Sequence, residues 1–166
     1  VLSDLHMTHR GEGLQKLSQY MALFSKITPA IDAHVFAGDI VYQIDLSGGG
    51  TCETVYNEPY DYLNAALARY APKTPLIYAI GNHEYPQNNG DPVIIAEARR
   101  MMQKKMRQPL HYHKTVAGYH FIVVDISSYG CTFTPETEKW AMKEIKKKGI
   151  KKIVEGPYTF GEFMYS

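Results

Sequence analysis

The chain is predicted to be α/β, with short strands of a parallel sheet joined by helices. Two observations carry that prediction. Residues 1–3, 35–37 and 76–80 are apolar, β-branched or aromatic runs closed by Gly and polar residues, the pattern of strands buried on both faces of a parallel sheet. Between these runs, apolar residues recur at helical spacing, as the crossovers of a parallel sheet require. A third observation concerns chemistry. The runs lead into Asp4-Leu5-His6, Gly38-Asp39 and Gly81-Asn82-His83-Glu84, and the ligand site of such a sheet lies just beyond the carboxyl ends of its strands. Two Asp, two His and an Asn are therefore expected to converge on one sheet edge as a metal site. Oxygen and imidazole donors together suit Mn, Fe or Zn better than Ca or Mg alone.

After Asp4-Leu5-His6, a Gly-Glu-Gly turn leads into a helix whose Leu14, Leu17, Met21 and Phe24 form one apolar stripe. Thr28-Pro29 ends it, and the strand to Asp39 completes a right-handed β-α-β unit, with Asp39 on the middle strand of the three. Residues 46–57 are glycine-rich and are expected to form a mobile loop beside the site. The triple Gly is not read as a phosphate cradle, because no strand feeds it and no basic helix start follows. A second helix is expected over residues 60–70, with Leu63, Ala66, Leu67 and Tyr70 on one side. Lys73-Thr74-Pro75 launches the next strand, and residues 85–92, rich in Pro, Asn and Gly, loop over the site. Residues 93–107 are helix formers with basic residues towards the end. His111-Tyr112-His113 and residues 119–125 flank Ala117-Gly118 as a β-hairpin. Thr134-Pro135-Glu136 is a helix start, with a capping hydroxyl and Pro in the first turn. Trp140, Ala141 and Ile145 are its buried stripe, Gly149 stops it, and residues 150–154 read as a further strand.

Length and composition bound the rest. The 166 residues, 45% of them hydrophobic, suffice for a sizeable core, and with no repeat or linker they read as a single domain, 1–166. A formal charge of +1 gives no strong field towards nucleic acid. No apolar stretch approaches the ~20 residues of a membrane helix. Val1 lies inside the first strand, so a targeting segment ahead of it stays open, and localisation with it. Cys52 and Cys131 either pair or are two separate thiols.

The residues at the strand ends carry a resemblance. Asp4-x-His6, Gly38-Asp39 and Gly81-Asn82-His83-Glu84, in this order, resemble the first three motifs of the calcineurin-like metallophosphoesterases. The likeness runs from Val1 to about Val154. It implies a β-sheet sandwich flanked by helices (four layers, α/β/β/α) and a binuclear centre of Mn, Fe, Zn, Ni or Co. On the residues alone, Asp39 is the candidate bridge between two cations. Asp4 and His6, two apart in an extended segment, leave the backbone on one side and can meet one metal. The resemblance gives Asp4, His6 and Asp39 those same roles, assigns Asn82 to the second metal, and implies that His83 lies over the phosphoryl group as a catalytic residue. Imidazole titrates near pH ~6.5, so it can donate a proton around neutrality. The implied reaction is hydrolysis of a small-molecule phosphomonoester or phosphodiester by metal-activated hydroxide.

Other residues receive plainer readings. Glu84 is expected to shape the turn or hold an imidazole. Tyr42, three residues after Asp39, resembles the iron-binding Tyr of purple acid phosphatases, but those enzymes lack the His of Asp-x-His, and packing beside the site is the expectation. His9 is close enough to Asp4 to contact substrate. His34 is read as a core histidine, and His111 and His113 as a surface pair sharing a hairpin face. The lysines at 143, 146–148 and 151–152 read as a solvated face. Asp125 ends an apolar strand but matches no family ligand.

The chain departs from the family in one respect. No His follows Val154, and no Gly-His-x-His occurs in the 166 residues, so the motifs that complete the family's ligand set are missing. The first metal would keep Asp4, His6 and Asp39, the second Asp39 and Asn82. A domain incomplete at both ends is expected. The competing readings are a non-catalytic scaffold on the same fold, and a nuclease of the family, against which the balanced charge argues.

Overall fold

The computed structural model describes residues 1–8, 13–27, 31–42, 46, 51–87, 90–126 and 133–147. At its centre, β1 (His34–Ala37) pairs in parallel with β2 (Leu76–Ala79), His34 opposite Leu76 and Ala37 opposite Ala79. The N-terminal segment lies along the other side of β1. Leu2 donates to the Val35 carbonyl and accepts from the Ala37 amide, both at 2.7 Å, and Met7 bridges Val41 further on. Asp39 therefore follows the middle of three adjacent segments, as expected.

Helix α1 (Leu14–Phe24) buries Leu17 and Met21, two members of the expected stripe. It enters through Gly13 at φ 83°, where an added Cβ would come 2.9 Å from the Leu5 carbonyl oxygen. The left-handed backbone and the close approach both call for glycine there, and together they seat the helix on the segment that carries Asp4 and His6.

Helix α2 (Cys52–Tyr70) begins eight residues before the expected position 60. The expected loop over 46–57 is therefore corrected: residues 52–57 are helical. Pro59 inside the helix is why the sequence suggested otherwise, since an interior Pro costs about 3 kcal/mol of helix stability. Burial outweighs it. Cys52, Tyr56, Tyr60, Leu63 and Leu67, spaced four or three apart, are all under 5% exposed, and burying a large side chain is worth roughly 1.5–3 kcal/mol.

Helix α3 (Pro92–Met106) is capped by Asp91, whose side chain accepts from the Val93 amide at 2.8 Å. It buries Ala98, Met101, Met102 and Met106 against the core, and Lys105 reaches Asp61 of α2 at 2.7 Å. Strands β3 (Tyr112–Val116) and β4 (Tyr119–Val123) form the expected hairpin. Its turn residues Ala117 and Gly118 have φ 50° and 81°, the left-handed pair that a tight hairpin turn demands. Tyr112 ties the hairpin to β2, its hydroxyl accepting from the Tyr78 amide at 2.8 Å and donating to the Tyr78 carbonyl at 2.9 Å. Helix α4 (Pro135–Lys147) starts at Thr134, whose hydroxyl oxygen accepts from the Thr137 amide at 3.2 Å.

Four helices and two small sheets, one parallel and one antiparallel, establish the α/β class among the described residues. The expected strand at 150–154, Gly149, Cys131 and His9 lie outside them, while Cys52 is buried with its thiol free. No helix among the described residues is long and apolar enough to cross a membrane.

Candidate metal centre

The carboxyl ends of the first segment, β1 and β2 meet as the strand pattern requires. Ligand-capable atoms of His6, Asp39 and His83 all lie within 4.8 Å of one another. The His6 and His83 rings stand edge to face with centroids 4.6 Å apart. Asp4 adjoins them, its Oδ1 3.4 Å from His6 Nε2. Asn82 opens the 3₁₀ turn Asn82–Glu84 that carries His83. All five sequence-derived residues thus lie on the three segment ends.

The backbone that presents them is unusual. Asp4, His6 and Asp39 have φ of 55°, 47° and 54°, three of the five non-glycine positive values among the described residues. The expectation that Asp4 and His6 share an extended segment is corrected by this. Both are left-handed, and it is these bends, rather than strand alternation, that bring their side chains together. Non-glycine residues hold such angles only where their surroundings over-determine them, which is common at functional sites.

Electrostatics differ across the site. Asp4 is largely exposed, and the Ser3 hydroxyl, which donates to its Oδ2, holds its carboxyl below the usual range, with His6 and His83 adding to the effect. Asp39 is 3% exposed, and its Oδ1 accepts from the His83 amide at 3.0 Å. His83 Nδ1 contacts the Tyr42 carbonyl oxygen. A carbonyl can only accept, so Nδ1 carries the proton, and in the neutral ring Nε2 is a lone-pair donor.

Glu84 holds no imidazole, which corrects one of the two readings of it. Its carboxylate accepts from four backbone amides, those of Asp39, Ile40, Val41 and Gly81. Burial pushes its pKa up to about 7, the Asp39 charge adds to this, and the backbone donors oppose it. Two glycines permit the close approach of these loops. A Cβ on Gly81 would fall 2.0 Å from Asp39 Oδ1, and one on Gly38, at φ +99°, would fall 2.6 Å from the Gly81 nitrogen.

The remaining histidines and Asp125 are placed elsewhere. His34 is 6% exposed, edge-on to Phe24. His111 packs on Trp140, and the partner of His113 is His120, 3.0 Å away, rather than His111. A cross-strand neighbour, set by hairpin register, prevails over the residue two positions back. Asp125 is fully buried, bound to Arg99 at 2.7 Å and the Tyr85 hydroxyl at 2.5 Å. Tyr42 is 53% exposed with its ring 5.6 Å from that of His6. The roles of Ser3 and of the Tyr42 carbonyl went unread in the sequence. A hydroxyl next to an acid signals the first, whereas a backbone oxygen has no sequence signal.

These residues fit a metal on the structure's own terms. The donors are carboxylate and imidazole, and His6 Nδ1 is buried with no hydrogen-bond partner among the described residues, a vacancy that a coordination bond would satisfy. A family model described as calcineurin-like phosphoesterase matches residues 1–155. No curated protein matches the chain.

Proposed function

Because the chain belongs to the calcineurin-like phosphoesterase family, whose members are in general metal-dependent phosphoester hydrolases, we propose that it hydrolyses a small phosphomonoester or phosphodiester at the centre described above. Asp4, His6 and Asp39 would hold one cation, and Asp39 and Asn82 a second. Mn, Fe, Zn, Ni and Co all suit this donor set. The observation that carries the reading is the convergence of His6, Asp39 and His83 within 4.8 Å at adjacent strand ends. Bound cations would supply Lewis acidity and lower the pKa of a coordinated water.

The chain's own residues do the rest. Asp39 contributes a carboxylate already oriented by the His83 amide. Tyr42 fixes the His83 tautomer, so Nε2 can protonate a leaving oxygen only as the imidazolium, and as the neutral ring can only accept. The single domain over 1–166 and the four-layer sandwich belong to the same proposal, with β1–β2 and β3–β4 as parts of two facing sheets.

The test is hydrolysis of p-nitrophenyl phosphate and bis-p-nitrophenyl phosphate, metal-stripped and with Mn²⁺, beside Asp39→Asn and His83→Ala. Metal-dependent turnover is expected, falling at least 10²-fold in each variant, on the scale of losing one transition-state contact. His83→Ala is expected to keep its Mn²⁺ affinity, and a collapse of that affinity would make His83 a ligand instead. Absent turnover with any metal in the folded protein would favour the non-catalytic scaffold.

A further inference from the structure

The Glu84 side chain accepts from the backbone of the loop after β1, and the Asp39 side chain from the backbone of the turn after β2. Glu84 Oε1 accepts from Ile40 and Val41 at 2.6 and 3.1 Å, and Oε2 from Asp39 and Gly81 at 2.9 and 2.7 Å. In return, Asp39 Oδ1 accepts from the His83 amide at 3.0 Å. Glu84 is 0% exposed, so it touches neither solvent nor substrate. An ionised carboxylate has about four acceptor positions, and here four N–H groups fill them.

The three consecutive amides of 39–41 converge on one anion after two left-handed residues, Gly38 and Asp39. Such a concavity of successive N–H groups is an anion-binding nest. The chain's own carboxylate occupies it. These amides are therefore already engaged and are not a cradle for a substrate phosphate.

We propose that Glu84 is a positioning residue: by filling this nest it holds the loop after β1 against the turn after β2, and so sets where the Asp39 carboxylate stands relative to Asn82 and His83. The proposal rests on the reading of Asp39 as a ligand, and its effect runs through Asp39. Tyr56, whose hydroxyl donates to the Glu84 carbonyl, holds the latch from α2.

Glu84→Gln tests it, because the amide keeps the shape but turns an NH₂ group towards two N–H donors. Two readouts are taken: Mn²⁺ affinity by calorimetry, and amide hydrogen exchange at Asp39, Ile40, Val41 and Gly81, which needs no cation. At least tenfold weaker Mn²⁺ binding is expected, with at least tenfold faster exchange at those four amides and unchanged exchange in α3. A folded variant that melts earlier yet binds Mn²⁺ as wild type does would show a merely structural role and overturn the proposal. If the wild type binds no Mn²⁺, the metal reading fails, and the latch is judged on exchange alone. Selective loss then supports it and unchanged protection overturns it. Should the Gln variant not fold, Glu84→Asp serves, with a smaller loss of Mn²⁺ affinity expected and wild-type affinity overturning the proposal.

Discussion

His34 shows how one residue's surroundings set its chemistry. It begins β1 almost fully buried, and that burial holds its imidazole below the ordinary value. The neutral form is thus favoured on folding. Its folded pKa lies below its unfolded one, so the stability it contributes is complete above the unfolded value of about 6.5 and is lost as pH falls through the folded value. Urea midpoints measured from pH 8 to 5 are expected to fall in the wild type as pH drops below 6.5. His34→Phe should flatten that decline, and an identical slope in both proteins would refute the assignment. Asp39, also buried, has its Oδ1 held by the His83 amide.

Among the elements, the hairpin and α2 mark the extremes of legibility. Ala117-Gly118 between two apolar-aromatic runs was readable as a turn, and its two positive φ values follow from strand twist. Ala at φ 50° is strained, since its Cβ crowds the backbone by about 1 kcal/mol. Ala117→Asn is expected to raise stability by roughly 0.5–1 kcal/mol, seen as a higher urea midpoint at constant slope. No gain would mean that the turn relaxes in solution. The first two turns of α2 were illegible, because Pro59 and Val55 argue locally against a helix while the burial of Tyr56 and Tyr60 decides the matter from outside.

At the scale of the molecule, Asp125 joins three parts. It follows β4, pairs with Arg99 of α3, and accepts from Tyr85, the residue after Glu84. Asp125→Ala would strand the Tyr85 hydroxyl and unpair Arg99, whose partial exposure lets water compensate. The expected loss is about 2–4 kcal/mol, read as a lower unfolding midpoint by circular dichroism. A variant as stable as wild type would show that the three parts hold together without it.

The α/β class and the order of the described elements were legible in the sequence, which also named the residues expected at the candidate centre. Strand burial and helical stripes are periodic, and the ligand-capable residues sit where those periods end. The left-handed bends at Asp4 and His6, the meeting of His113 with His120, the buried pairing of Asp125, and the amides gathered on the Glu84 carboxylate were decided by the tertiary structure alone. Each depends on contacts between residues distant in the chain or on backbone amides. All residues but proline carry that N–H, so nothing in a sequence marks which amides converge on one carboxylate.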